Sequence, residues 1–224
     1  MCSSDLGEVL ASRGDGVEPD LVCLSKTLSA GMVPVGAVVG RSEVFDRVFD
    51  SIERSVVHSS TFRENPLAMA AGLAALHVIE SEGLVDRARA SGERIRAGLE
   101  RIRDRGNGIR SVRGRGLMIG VELDHEAMAF DLPGFARRTP TLVAQAVSVR
   151  MLADHRILVQ STSKSSCVIK VVPPLVIGDA EADMIVDAFD ATIRDLRRAG
   201  GAALRGLLDM FTRAPDVVLR ESLR

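Results

Sequence analysis

Five residues suited to a buried strand, Leu21-Val22-Cys23-Leu24-Ser25, run directly into Lys26 and the small-residue turn Thr27-Leu28-Ser29-Ala30-Gly31. A second strand-like run, Val35 to Gly40, follows with Pro34 at its entry, where a missing N–H matters least. Lys26 therefore falls in the connection between two strands of one α/β layer. It is one of only three lysines among 29 basic residues, in a chain that otherwise uses arginine for positive charge. A guanidinium cannot condense with a carbonyl and an amine can, so a lysine here points to amine chemistry as well as charge.

At 224 residues and 46% hydrophobic content the chain is globular, with material for one large domain or for a small domain plus part of another. A net charge of -1 with both signs interspersed gives no support to a nucleic-acid or anionic-membrane partner, and the arginines read as solvated helix faces. Cys2, Cys23 and Cys167 are odd in number and widely spaced, with no CxxC pair, which fits a reduced cytoplasmic protein. The best apolar run, Met32 to Val39, is too short to span a bilayer and is broken by Pro34 and Gly36. Met1 to Gly16 is polar, without clear period and without the apolar core of a signal peptide. It is expected to be a disordered or non-native start of an N-terminally truncated reading frame.

Asn65 followed by Pro66 is a strong helix start, and the alanine-rich run to about Glu80 carries it on. A second helix is expected from Leu84 to Arg105, with Leu84, Ala88, Ile95, Leu99 and Ile102 on one stripe. After Gly106-Asn107-Gly108 the alternation of Leu117, Ile119, Val121 and Leu123 with Met118, Gly120 and Glu122 marks a half-buried strand. Residues 124–140 read as a loop or insertion, 141–154 as a helix, 156–160 and 167–172 as strands, and 179–198 as a closing helix. The domain plan is thus 1–82, a linking helix over 83–106, a small α/β domain over 107–198, and an amphipathic tail over 199–224.

Three segments carry a family resemblance together: Pro19-Asp20 to Gly40 around Lys26, His58-Ser59-Ser60-Thr61-Phe62-Arg63-Glu64-Asn65-Pro66, and Val112-Arg113-Gly114-Arg115-Gly116-Leu117-Met118 with Pro173-Pro174-Leu175. In this order and at these separations the chain resembles the C-terminal half to two-thirds of a class III, acetylornithine/ornithine-type aminotransferase dependent on pyridoxal 5′-phosphate, over residues 17–198. The resemblance implies a fold-type I architecture: the end of a large, mostly parallel α/β domain that binds the cofactor, then the small domain.

It further implies that Lys26 is the Schiff-base lysine and the base that moves a proton between substrate carbon and cofactor. Both roles suit an amine made neutral near physiological pH by desolvation and a cationic surround. Ser60 and Thr61 would bind the cofactor phosphate, the threonine reaching into a neighbouring subunit's site, which makes the enzyme a homodimer. Hydroxyls and amides at a helix start favour an anion. Lys26 as a surface amine, and Ser59 to Thr61 as helix-starting residues only, are the plainer alternatives. Where relatives carry two glycines after the phenylalanine, this chain has Arg63-Glu64.

Arg113 is read either as a substrate contact or as a salt-bridged turn arginine. Lys170 stands shortly before Pro173-Pro174, where relatives tend to use an arginine to grip a substrate carboxylate. A lysine is a point charge and not a bidentate fork, so the swap favours an amine or ω-amino substrate or a differently bound acid. The implied reaction moves an amino group from an amine, ω-amino or amino-acid donor to a 2-oxo acid. The alternatives are an aminomutase or decarboxylase of the same fold, or a non-catalytic, dimer-forming remnant. The acidic residue and ring-stacking aromatic of the family cannot be placed in this chain, so poor transamination by 1–224 alone is expected. His58, His77, His125 and His155 lack metal-ligand spacing, and no GxGxxG or GxxxxGK[ST] loop occurs.

Overall fold

The computed structural model describes residues 4–106, 108–128, 140–162 and 167–199. Asn107 of the Gly-Asn-Gly turn, most of the expected insertion and the tail from 200 onward lie outside the described residues. The chain divides into two compact units, one of residues 1–90 with 174–176 and one of 91–173 with 177–224.

In the first unit, β1 (Leu21–Ser25) and β2 (Gly36–Gly40) pair antiparallel, Leu21 facing Gly40 and Ser25 facing Gly36. Every strand pair among the described residues is antiparallel, so the parallel part of the large-domain sheet that the resemblance implies is not among them. For β1 and β2 connection length gives the reason. Residues 26–35 form a tight 3₁₀ turn, Lys26–Ser29, and a short loop, whereas a parallel return needs a crossover of roughly a dozen residues or more. Helix α1 (Ser42–Val48), which the sequence pattern does not announce, follows. Residues 4–14 take two short helical turns, and the Arg89 guanidinium donates to the Gly7 carbonyl at 2.6 Å.

Helix α2 (Pro66–Ser81) starts where expected: Asn65 Oδ1 accepts the Leu67 N–H at 3.0 Å and Pro66 occupies the first turn. It buries only small residues, Ala68, Gly72 and Ala75, which the 4 and 3 spacing places on one stripe. Helix α3 (Leu84–Asp104) buries all five residues of its expected stripe, Ile95 and Leu99 completely.

The second unit holds an antiparallel sheet in the order β3-β4-β6-β5, formed by β3 (Ile109–Arg115), β4 (Met118–Leu123), β5 (Gln160–Ser161) and β6 (Val168–Val171). As the alternation requires, Ile119, Val121 and Leu123 are buried, while Met118, Gly120 and Glu122 line the other face. Leu117 is buried too, but in the β3-β4 turn. Strand β3 was not expected, because arginines interrupt its apolar residues. The strand expected from Arg156 begins only at Gln160. Arg156 leaves helix α4 (Pro140–His155) with a left-handed φ of +60°, and the Ile157 N–H returns to the Met151 carbonyl.

Helix α5 (Asp179–Ala199) closes the unit, its start capped by Glu181, whose carboxylate accepts the Gly178 N–H at 3.1 Å. Phe189 and Ile193 of α5, Val147 and Met151 of α4, Ile95, Leu99 and Ile102 of α3 and the inner sheet face form the core of this unit. The close α3–α5 approach relies on Gly98, where a Cβ would lie 2.6 Å from Val186. Among the described residues no single helix is long and apolar enough to cross a membrane.

Candidate active site

Lys26 owes its position to the turn beneath it. Ser25 is fully extended, at φ −166° and ψ −171°, and the chain then swings to a φ of +58° at Lys26. Left-handed backbone costs a non-glycine residue about 1–2 kcal/mol, and such outliers persist only where the surroundings fix them. Here the Ala30 N–H donates to Thr27 O at 2.9 Å, the Met32 N–H to Ser29 O at 3.0 Å, and the Ser29 hydroxyl to Val33 O. Leu28 and Ser29 are buried.

The small stripe of α2 makes that burial possible, since a Cβ on Gly72 would lie only 3.6 Å from the Leu28 carbonyl. The turn is thus seated on a smooth helix face, and the seat fixes where Lys26 leaves the strand. The Lys26 side chain itself is exposed and makes no ion pair among the described residues.

Ser60 and Thr61 sit in an exposed loop ahead of α2, braced by the Arg63 N–H donating to Ser60 O at 3.1 Å. No hydrogen bond joins either hydroxyl to Lys26 among the described residues. Arg63 and Glu64 pair with each other at 3.1 Å, and Glu64 holds a left-handed φ of +56°. Glycine takes that conformation freely, so the glutamate here sits where a glycine would carry no strain.

The other two candidates do come together. Arg113 faces Gly120, Gly120 faces Lys170, and Lys170 faces Gln160, so the four form one cross-strand row over β3-β4-β6-β5. Residues of one row project to the same face. Gly120 leaves the lane between the two cations open, a Cβ there meeting Val168 at 3.6 Å. Arg113 pairs with Glu122 at 3.2 Å and reaches Ser111 Oγ at 3.3 Å, while the Ser111 hydroxyl donates to the Glu122 carboxylate at 2.8 Å. The Ser111 bond first, and the Arg113 bond and charge after it, hold the Glu122 carboxyl below its ordinary range against a partial desolvation cost.

Ser111, Glu122 and Gly120 were missed as site neighbours, because their relation to Lys170 depends on strand register and not on local spacing. The glycines of the Arg113-Gly-Arg-Gly segment serve the turn. Gly114 has a φ of +149°, and a Cβ on the α3 residue Gly92 would strike Gly116 O at 2.0 Å.

Comparison with known proteins places this geometry in context. Residues 4–193 match the family model of class-III aminotransferases. The chain is 36% identical over 195 residues to the diaminobutyrate–2-oxoglutarate aminotransferase of Rhizobium meliloti, covering 86% of this chain and 39% of that protein. The ornithine aminotransferase of Toxoplasma gondii superposes with a TM-score of 0.70 at 34% identity, over 88% of this chain and 42% of that one. The acetylornithine aminotransferase of Elizabethkingia anophelis gives 0.72 at 29% identity, over 86% and 43%. This chain spans about two-fifths of the length of these relatives. The fold-type I transaminase architecture implied by the three sequence segments is thereby established, and the chain belongs to the class-III aminotransferase family.

Proposed function

We propose that this chain supplies the covalent lysine and part of the phosphate grip of a pyridoxal 5′-phosphate-dependent transamination. An amino group would move from an amine, ω-amino or amino-acid donor to a 2-oxo acid. One observation carries the reading: Lys26 is held in a strained left-handed conformation at a strand end, on a turn built for it by Ser29, Leu28 and Gly72. Strain maintained by a dedicated seat is characteristic of functional positions.

The residues present fit the cofactor by their donor chemistry, a primary amine for its aldehyde and loop hydroxyls ahead of α2 for its phosphate. When bound, the cofactor supplies the electron sink for charge developing at the substrate carbon. Lys26 Nζ would hold the cofactor through its aldehyde carbon, with water as the leaving group, and would carry the proton taken from the substrate carbon. Ser60 and Thr61 would donate their hydroxyls to the phosphate from the loop ahead of α2. In a homodimer Thr61 would serve the neighbouring site.

Lys170, with Arg113 across the Gly120 lane, meets the acid group of the substrate. Arg113 is already committed to Glu122, so the charge on the row without an ion pair among the described residues is a point charge. The names of the relatives, acting on diaminobutyrate, ornithine and acetylornithine, point to donors with two nitrogen-bearing ends. The exposed thiol of Cys23 fits a cytoplasmic setting.

Borohydride reduction in the presence of pyridoxal 5′-phosphate tests the reading. A cofactor-sized mass increase should map to the peptide containing Lys26 and vanish in Lys26→Arg, which keeps the charge. Labelling spread over other amines, or unchanged in Lys26→Arg, overturns it. Transamination by residues 1–224 alone is expected to be negligible; turnover that Lys26→Ala removes would show that the described residues suffice.

A further inference from the structure

The sheet of the second unit carries two opposite charges that face one gap without touching each other. Glu122 lies opposite Val168 and Gly120 opposite Lys170, so Glu122 and Lys170 are diagonal neighbours on one face. Such positions stand roughly 7–8 Å apart. The other two corners are Gly120, which has no side chain, and the buried Val168, so neither brings a polar group into the gap. Lys170 is exposed and has no ion pair among the described residues. Glu122 does not reach across to it, because Ser111 and Arg113 hold its carboxylate from the β3 side.

Both of those contacts end on the same oxygen. The Ser111 hydroxyl donates to Glu122 Oε2 at 2.8 Å and the Arg113 guanidinium to the same atom at 3.2 Å. Glu122 Oε1 accepts no hydrogen bond among the described residues, so the carboxylate is oriented but only half used. It is ionised at neutral pH, since the Ser111 bond first, and Arg113 after it, keep the carboxyl below its ordinary range.

A free cation and a half-used anion across a glycine match a ligand that carries the opposite charges side by side. The α-amino-acid end of a molecule does so, its carboxylate and ammonium sharing one carbon. Contacts of about 2.8 Å from the carboxylate to Lys170 Nζ and from the ammonium to Glu122 Oε1 bridge the diagonal and leave the Ser111 and Arg113 bonds in place. We propose that Glu122 and Lys170 together read the zwitterionic end of a diamino-acid donor, Lys170 taking its carboxylate and Glu122 its α-ammonium, while the second amine is left to react. The assignment rests on Lys170 as the acid-group contact proposed above, and adds the ammonium as the feature selected. A monoamine leaves both charges unmatched, and an ω-amino acid without the α-ammonium leaves Glu122 unmatched.

The test needs neither cofactor nor turnover. The chain has only three lysines, so in protein isotope-labelled at the lysine ε-carbons the NMR signal of Lys170 is identified by its loss in Lys170→Arg. That signal is followed as L-2,4-diaminobutyrate or 4-aminobutyrate is added; the two ligands differ only in the α-ammonium. Both should shift it, with diaminobutyrate binding roughly threefold to fivefold more tightly, the scale of a part-exposed ion pair. Glu122→Gln should bring the two to one affinity by weakening diaminobutyrate alone. Equal affinities in the unaltered chain overturn the ammonium role while keeping Lys170 as the acid contact, and a Lys170 signal that neither ligand moves overturns both. Tighter binding of both ligands to Glu122→Gln also overturns the proposal, because the carboxylate then displaces Glu122 from Arg113. With no cofactor in the titration, failure of labelling at Lys26 is a separate result.

Discussion

The two units treat their apolar residues in opposite ways. Among the described residues, all twelve of the largest fully buried side chains, Phe189, Ile95 and Leu99 among them, belong to the second unit. Of the large apolar side chains that stand exposed among the described residues, all but Met118, Leu152, Leu158, Val172 and Met184 belong to the first. Composition does not separate them; periodicity does. Helices α3 and α5 concentrate their apolar residues on one stripe and place charges elsewhere, so a single layer of partners satisfies them. Helix α2 is apolar around its whole circumference and the hairpin on both faces, so one layer leaves the rest in water. The unit that carries Lys26 is the one that cannot cover itself.

Truncating Leu99 in the second core breaks or sharpens this contrast most strongly. Leu99→Ala should cost about 2–5 kcal/mol, read as a lowered denaturant midpoint, whereas Leu73→Gln on the exposed stripe of α2 should change stability by roughly 0.5 kcal/mol or less. Equal losses would erase the distinction between the units. Next in size is Gly92→Ala, whose Cβ would meet Gly116 O at 2.0 Å. A cost of about 1–3 kcal/mol is expected, with a lowered melting temperature. Gly120→Ala, with its nearest neighbour at 3.6 Å, should melt close to the parent.

In the first unit Ala30 occupies a left-handed φ of +52°, so Ala30→Gly should relieve strain and stabilise that unit by up to about 1 kcal/mol. Slower hydrogen exchange in the Lys26–Ser29 turn would show it. The smallest effect concerns acid. The Glu122 carboxyl lies below its ordinary value of 4.5, first through Ser111 and then through Arg113. Its stabilising contribution is therefore complete above the unfolded value and is lost as pH falls through the folded one. Glu122→Gln should flatten the acid-side decline of the second unit's stability and leave the neutral-pH plateau with little slope, as followed by circular dichroism.

Local patterns were legible wherever one segment contains all the information it needs. Asn65-Pro66 announced its helix because cap and first turn are sequence neighbours, and the stripe from Leu84 to Ile102 announced a buried face because 3.6-residue spacing is local. Alternation over Ile119, Val121 and Leu123 did the same for β4. The direction of β2 was not legible, since strand direction follows from how residues 26–35 fold. Strand β3 was missed because its arginines hide the alternation, and the strand after α4 was begun too early because the left-handed exit at Arg156 has no glycine to mark it. Lys26, Ser60, Thr61, Arg113 and Lys170 were all named from sequence. The alignment of Arg113 with Lys170 through Gly120, and the hold of Ser111 and Glu122 on Arg113, were not.

By itself the sequence determined the family, the four long helices and the amine at the end of β1, because each is written in residue types at short separation. Tertiary structure alone decided the left-handed turn at Lys26, the α2 seat beneath it, the cross-strand row and the bareness of the hairpin. Each of these depends on which distant backbone comes to lie within a few ångströms, and that is set by register and packing, which no local spacing encodes.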